Sequence, residues 1–163
     1  MPERQIRLFG DPVLKTVSDP ILAIDDRVRG LVQDLVDSVL LPGRAGVAAA
    51  QIGVNLRAFS FNIGGDVGYV LNPEIVELSG EPEAVDEGCL SVPGLWYPTP
   101  RFPFARVTGI DLDGEPIELS GTGIMAQALQ HETDHLNGLL YLDRLDKENR
   151  RAAMKEIRES AWF

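Results

Sequence analysis

Gln130-His131-Glu132-Thr133-Asp134-His135-Leu136-Asn137-Gly138 closes a helical segment expected over Ile124 to Asn137. Gly121-Thr122-Gly123 opens that segment, and Gly138 stands where a helix C-terminus commonly takes left-handed geometry. His131 and His135 fall one turn apart on the same face, where both imidazoles can reach one metal ion, with Glu132 beside them. Short patterns of this kind also arise by chance in helices. Composition weighs against chance here, because these are the only two histidines in the chain and Cys89 is the only cysteine. Two imidazoles and one thiol match a catalytic site with three protein ligands and an open fourth position; a closed structural site would want a fourth ligand. A lone cysteine also excludes an internal disulfide, and taken by itself it reads either as a buried small hydrophobe or as a thiolate with a chemical task.

Working outward, Val28, Leu31, Val32, Leu35, Val36, Val39 and Leu40 keep helical spacing after the candidate cap Asp25-Asp26, and Pro42-Gly43 ends that helix. A small-residue run, Gly46 to Gly53, follows and permits close backbone approach. Alternation in Leu56 to Asn62, apolar runs at Val67 to Leu71 and Ile75 to Leu78, and a hairpin about Asp113-Gly114 between Val107 to Leu112 and Pro116 to Leu119 predict antiparallel strands. Glu87 to Gly94 lies between these strands, and the Pro- and aromatic-rich stretch that follows it through Pro103 is expected to be an irregular loop walling a cleft. A last helix is expected from about Asp146 to about Ser160. The fold expected is α+β, with antiparallel sheets packed around the central His-Glu-x-x-His helix and flanked by an N-terminal and a C-terminal helix, in one domain over residues 1–163.

The 163 residues suffice for one core, and 44% hydrophobic composition is ordinary for a globular protein. No run approaches the roughly 20 apolar residues that span a bilayer, and Met1-Pro2-Glu3-Arg4 leads into mixed sequence, so a cytoplasmic protein without membrane attachment is expected. Net charge is −10, which disfavours DNA and leaves RNA contact only to a local basic patch. A monomer is the default expectation.

Three blocks, Gly46-Val47-Ala48-Ala49-Ala50-Gln51, Glu87-Gly88-Cys89-Leu90-Ser91 and Gln130 to Gly138, resemble the three signature motifs of the peptide deformylases in order and spacing. The likeness extends over most of the chain. One departure is plain: the first block usually opens with a Gly-x-Gly pair, and Arg44-Ala45 stands before Gly46. A positive φ at Arg44 would store about 1 to 3 kcal/mol of strain.

The resemblance implies a hydrolase that removes the formyl group from the N-terminal formylmethionine of nascent polypeptides. It implies one divalent metal on Cys89, His131 and His135, with Fe(II) favoured and zinc, nickel or cobalt able to occupy the same ligands. Water activated there is the implied nucleophile, and Glu132 the implied general base and then acid. Gln51, through its side-chain amide, and Leu90, through its backbone N–H, are the implied donors to the formyl oxygen; a buried amide satisfying loop backbone is the alternative for Gln51. Ala45 and Gly46 are implied substrate contacts. Ile124 and Ala128 precede His131 by seven and three positions, so they share its face. With Val85 they form either a pocket for the methionine side chain or ordinary core. Trp96 and Tyr97 border the cleft or cover the loop. The family suggests an Asp134–Arg101 salt bridge, and Glu87 is expected to orient ligand groups.

Lys147, Arg150, Arg151, Lys155 and Arg158 suggest a basic face for docking near the ribosomal exit tunnel, although Glu148, Glu156 and Glu159 offset much of it. Two other readings of the His-Glu-x-x-His segment remain open. A zinc metallopeptidase shares the helix motif but usually takes its third ligand from another histidine or a glutamate. A metal-stabilised module without activity gives the open coordination position and Glu132 no purpose.

Overall fold

A computed structural model describes residues 4–163. Met1-Pro2-Glu3, part of the reading of the N-terminus, lie outside the described residues. Helix α1 spans Asp26–Val39, and the Asp25 carboxylate caps it by accepting from the Val28 amide at 3.1 Å. Its stripe, Val28, Leu31, Val32, Leu35 and Val39, is buried as the spacing predicts, while Leu40 falls just past the end and is exposed.

The strands are β1 (Gly46–Ala48), β2 (Ala58–Ile63), β3 (Asp66–Ser79), β4 (Glu83–Cys89), β5 (Val92–Arg101), β6 (Phe104–Ile110) and β7 (Pro116–Thr122). Five form one antiparallel sheet in the order β1-β2-β3-β6-β7, and β4 and β5 form a separate antiparallel pair. Helix α2 (Gly123–Leu136) lies across the face of the large sheet opposite α1. The period of two on β2 explains this layering. Ala58 joins the cluster built by α1, and Ser60 donates to the Leu35 carbonyl at 2.8 Å. Phe59 and Phe61 face the other way, against Ala126, Leu129 and Leu136 of α2.

Two expectations are corrected. The two apolar runs at 67–71 and 75–78 belong to a single strand, β3, whose ladder to β6 is interrupted after Leu71 and again after Ile75. Asn72 sits there at φ +50°, and its amide both accepts from and donates to the Ile21 backbone, at 2.8 and 2.9 Å. Asparagine tolerates that backbone conformation better than most residues. The supposed irregular loop after Gly94 is also strand. Pro98 and Pro100 share one parity of β5, so their missing N–H groups face away from β4, and a two-stranded sheet leaves that side unpaired.

A third cluster joins Val92 and Leu95 of β5 to Leu140, Tyr141, Leu142 and Leu145 and to Ala153 and Ile157 of α3 (Lys147–Glu159). Among the described residues no helix is long and apolar enough to cross a membrane.

Candidate metal centre

Cys89 ends β4, and the two histidines lie on the last turns of α2, where it passes behind the hairpin. His131 Nε2 and His135 Nε2 are 3.2 Å apart, and His135 Nε2 lies 3.5 Å from Cys89 Sγ. All three donor atoms fall within 4.8 Å of one another. A thiol converging with two imidazole nitrogens, without a fourth protein donor in the cluster among the described residues, fits a divalent transition ion with an open coordination position.

Gln51 lies in the helical turn Ala49–Ile52 that follows β1. Its Oε1 accepts from the Ala48 amide at 3.0 Å, which fixes the side-chain orientation. Its Nε2 therefore faces the site, 3.6 Å from Cys89 Sγ and 3.2 Å from Ser91 Oγ. Glu132 is buried, and its Oε1 has no hydrogen-bond partner among the described residues. It fits because Gly46 has no side chain: a Cβ there would stand 2.5 Å from Glu132 Oε2. Burial pushes the Glu132 carboxyl up to about 7; positive charge on His131 opposes this, and the negative charge of Glu87 reinforces it.

Glu87 accepts from His131 Nδ1 at 2.5 Å, which turns Nε2 toward the site. Burial alone would raise Glu87, but hydrogen bonds from Arg101 and His131 outweigh it and hold the carboxyl at about 2. Arg101 donates to Glu87 at 2.9 and 2.5 Å and to Asp134 at 2.8 Å, so the suggested Asp134–Arg101 pair is present.

A cleft of about 490 Å³ opens over these groups, lined by Ala45, Gly46, Gln51, Leu90, Ile124, Ala128, His131 and Glu132. Trp96 stands on its rim, 69% exposed, and so does not simply cover a loop. Ile124 is 64% exposed, which removes the core reading for it, whereas Ala128 is buried. Val85 does not line this cleft. It faces a second cavity of about 280 Å³, shared with Arg101, Phe102 and Pro103, and Ile124 and Gln127 border both spaces. At the motif departure, Gly43 takes the positive φ, +81°, and Arg44 does not; its guanidinium donates to the Ser38 carbonyl at the end of α1 at 3.0 Å, so the feared strain is absent.

Sequence reasoning passed over three neighbours of the site. Gln127 lies one turn before His131, and helical spacing could have found it; it donates to Glu87 at 3.3 Å. Ser91 and Arg144 carry no local signal, because each meets its partner, Gln51 or Asp134, only through the fold.

Residues 3–151 match the polypeptide deformylase family. A peptide deformylase of Acidothermus cellulolyticus is 48% identical over 162 residues, covering 99% of this chain and 89% of its own length. The crystal structure of the Thermus thermophilus peptide deformylase superposes with a TM-score of 0.87 at 37% identity, covering 96% of this chain and 93% of that one. A Synechococcus elongatus peptide deformylase solved in complex with actinonin gives 0.89 at 29% identity, covering 99% and 90%. With the family match spanning nearly all of the fold just described, the chain belongs to the polypeptide deformylases.

Proposed function

We propose that this deformylase releases formate from the N-terminal formylmethionine of newly made polypeptides, with Cys89, His131 and His135 holding one divalent ion, Fe(II) in preference to zinc, nickel or cobalt. The observation that carries the reading is the buried Glu132 carboxylate, with one oxygen unpartnered, beside three converging soft donors at the floor of an open cleft. When bound, such an ion supplies Lewis acidity and lowers the pKa of a coordinated water.

The chain's own residues do the remaining work. Glu132 takes the proton of the attacking water and delivers it to the departing amino group, and its burial, which raises the carboxyl above its ordinary value, favours holding the proton between the two steps. The Gln51 Nε2–H and the Leu90 backbone N–H stabilise charge that develops on the formyl oxygen. Gln51 is suited to this because its other amide atom is already tied to Ala48, which holds Nε2 on the side of the site. Ile124 and Ala128 receive the methionine side chain, and Ala45 and Gly46 offer the free edge of β1 to the peptide backbone. Val85, from its separate cavity, acts only on the far side of Ile124.

The test pairs formyl-Met-Ala with casein, using protein loaded anaerobically with Fe(II) and analysed for metal. Formate release without casein cleavage is expected, with inhibition by actinonin. Casein cleavage would favour the metallopeptidase, and a fully loaded protein inert toward both substrates would remove the proposal.

A further inference from the structure

The site's charged network does not end at Arg101. Asp134 is nearly buried and accepts from two guanidinium groups at once: Arg101 Nη1 at 2.8 Å and Arg144 Nε at 2.7 Å on Oδ2, and Arg144 Nη2 at 2.8 Å on Oδ1. Arg144 thus grips both carboxylate oxygens with a planar fork, a geometry that an ammonium cannot reproduce. The turn that carries it, Tyr141–Arg144, is well anchored. Tyr141 and Leu142 are buried, Asp143 Oδ2 accepts from the Leu140 amide at 2.9 Å, and Arg150 donates to the Leu142 carbonyl at 3.0 Å.

From Arg144 the hydrogen bonds run without a gap through Asp134, Arg101 and Glu87 to Nδ1 of His131. The formal charges alternate, two guanidinium groups against two carboxylates. Without Arg144, Arg101 alone must serve both Asp134 and Glu87, and Asp134 Oδ1 loses the protein partner that covers it on its outer side. A displaced or weakened Arg101–Glu87 contact then loosens the carboxylate that holds the His131 ring. Groups that orient a ligating imidazole commonly change metal affinity by about 10- to 100-fold when removed.

We infer that Arg144 is a positioning residue for His131, acting through Asp134, Arg101 and Glu87 to hold the imidazole in its ligating orientation. This rests on the reading that Cys89, His131 and His135 bind the metal. The role is distinct from general stabilisation, because the hydrogen-bonded chain that starts at Arg144 ends, through Glu87, on the His131 ring.

The experiment measures release of nickel from the loaded enzyme to excess chelator. Arg144→Met should speed release about three- to ten-fold, less than a partner that touches the ligand directly, and Arg144→Lys about two- to three-fold. Arg106→Met, which breaks exposed pairs with Glu77 and Glu118 on the large sheet, should leave the rate unchanged. The discriminating arm is a double-mutant cycle. Glu87→Gln should itself speed release, and Arg144→Met should add little in that background because the relay is already cut. Wild-type release rates in folded Arg144→Met, or full multiplication of the two effects, would overturn the inference. If Arg144→Met does not fold, Arg144→Lys decides in the same cycle. A wild-type protein that retained no stoichiometric ion would instead strike at the reading of the metal site itself.

Discussion

Helices α1 and α2 are both 14 residues long and cover opposite faces of one sheet, but they bury different chemistry. α1 buries Val28, Leu31, Val32, Leu35 and Val39, each contributing roughly 1.5 to 3 kcal/mol by leaving water. α2 buries Gln130, Glu132, Thr133, Asp134 and His135 among its alanines and leucines. Those groups cost free energy to bury unless partnered. Gln130 and Asp134 are partnered, through the Phe102 backbone and through Arg101 and Arg144, whereas Glu132 Oε1, Thr133 Oγ1 and His135 Nδ1 have no hydrogen-bond partner among the described residues, and of these three residues Glu132 lines the cleft. One helix supplies cohesion; the other uses that cohesion to hold polar groups where isolated charges would not stay.

The contrast breaks most sharply at α2. His131→Ala should lose metal and activity together, since two remaining ligands hold a transition ion poorly. Glu132→Ala should keep metal near stoichiometric while kcat falls by about 10² to 10⁴, toward the upper end, with stability unchanged or raised because an unpartnered buried carboxylate is gone. Metal analysis beside formate-release kinetics reads both variants, and a Glu132→Ala protein that lost its ion would recast Glu132 as a support of the ligands.

At α1 the expected effect is on stability alone. Leu35 is fully buried, so Leu35→Ala should destabilise by about 2 to 5 kcal/mol in denaturant unfolding. Turnover per folded molecule should stay near normal; a parallel loss of kcat would mean that the α1 face also shapes the site. The smallest change joins the two regions through β1. Gly46→Ala places a methyl group 2.5 Å from Glu132 Oε2, and displacement of that carboxylate should lower kcat by about ten- to a hundred-fold with metal content intact.

Which features were readable from sequence follows from how local their causes are. Asp25 as a cap, the α1 stripe and the shared face of His131 and His135 each depend on neighbours within a turn or two. Cys89 was readable because a chain with one thiol leaves no other choice. β5 was not, because Pro98 and Pro100 are strand breakers unless one side of the strand is unpaired, which only the assembled two-stranded sheet supplies. β3 looked like two strands because Asn72-Pro73 interrupts its pattern, and the bond that tolerates the interruption comes from Ile21, far away in sequence. Arg144 and Val85 were misjudged or missed for the same reason: a guanidinium's partner and a side chain's cavity are tertiary facts.

The packing clusters bear also on how the molecule opens. Cys89 packs with the third cluster, whose ties run from Tyr97 to Glu156, from Trp162 to the Pro93 carbonyl and from Tyr141 to the Leu95 carbonyl. The histidines ride on a helix seated against the large sheet. The three donors thus belong to two cooperative units, and the C-terminal one can fray while the other stays folded. Native-state hydrogen exchange should register this as earlier opening of β4 and β5 than of β2 and β3 in metal-stripped protein. The lone thiol already borders the cleft, and each such excursion exposes it further, so loosening of this unit should speed oxidation of Cys89 in metal-stripped protein.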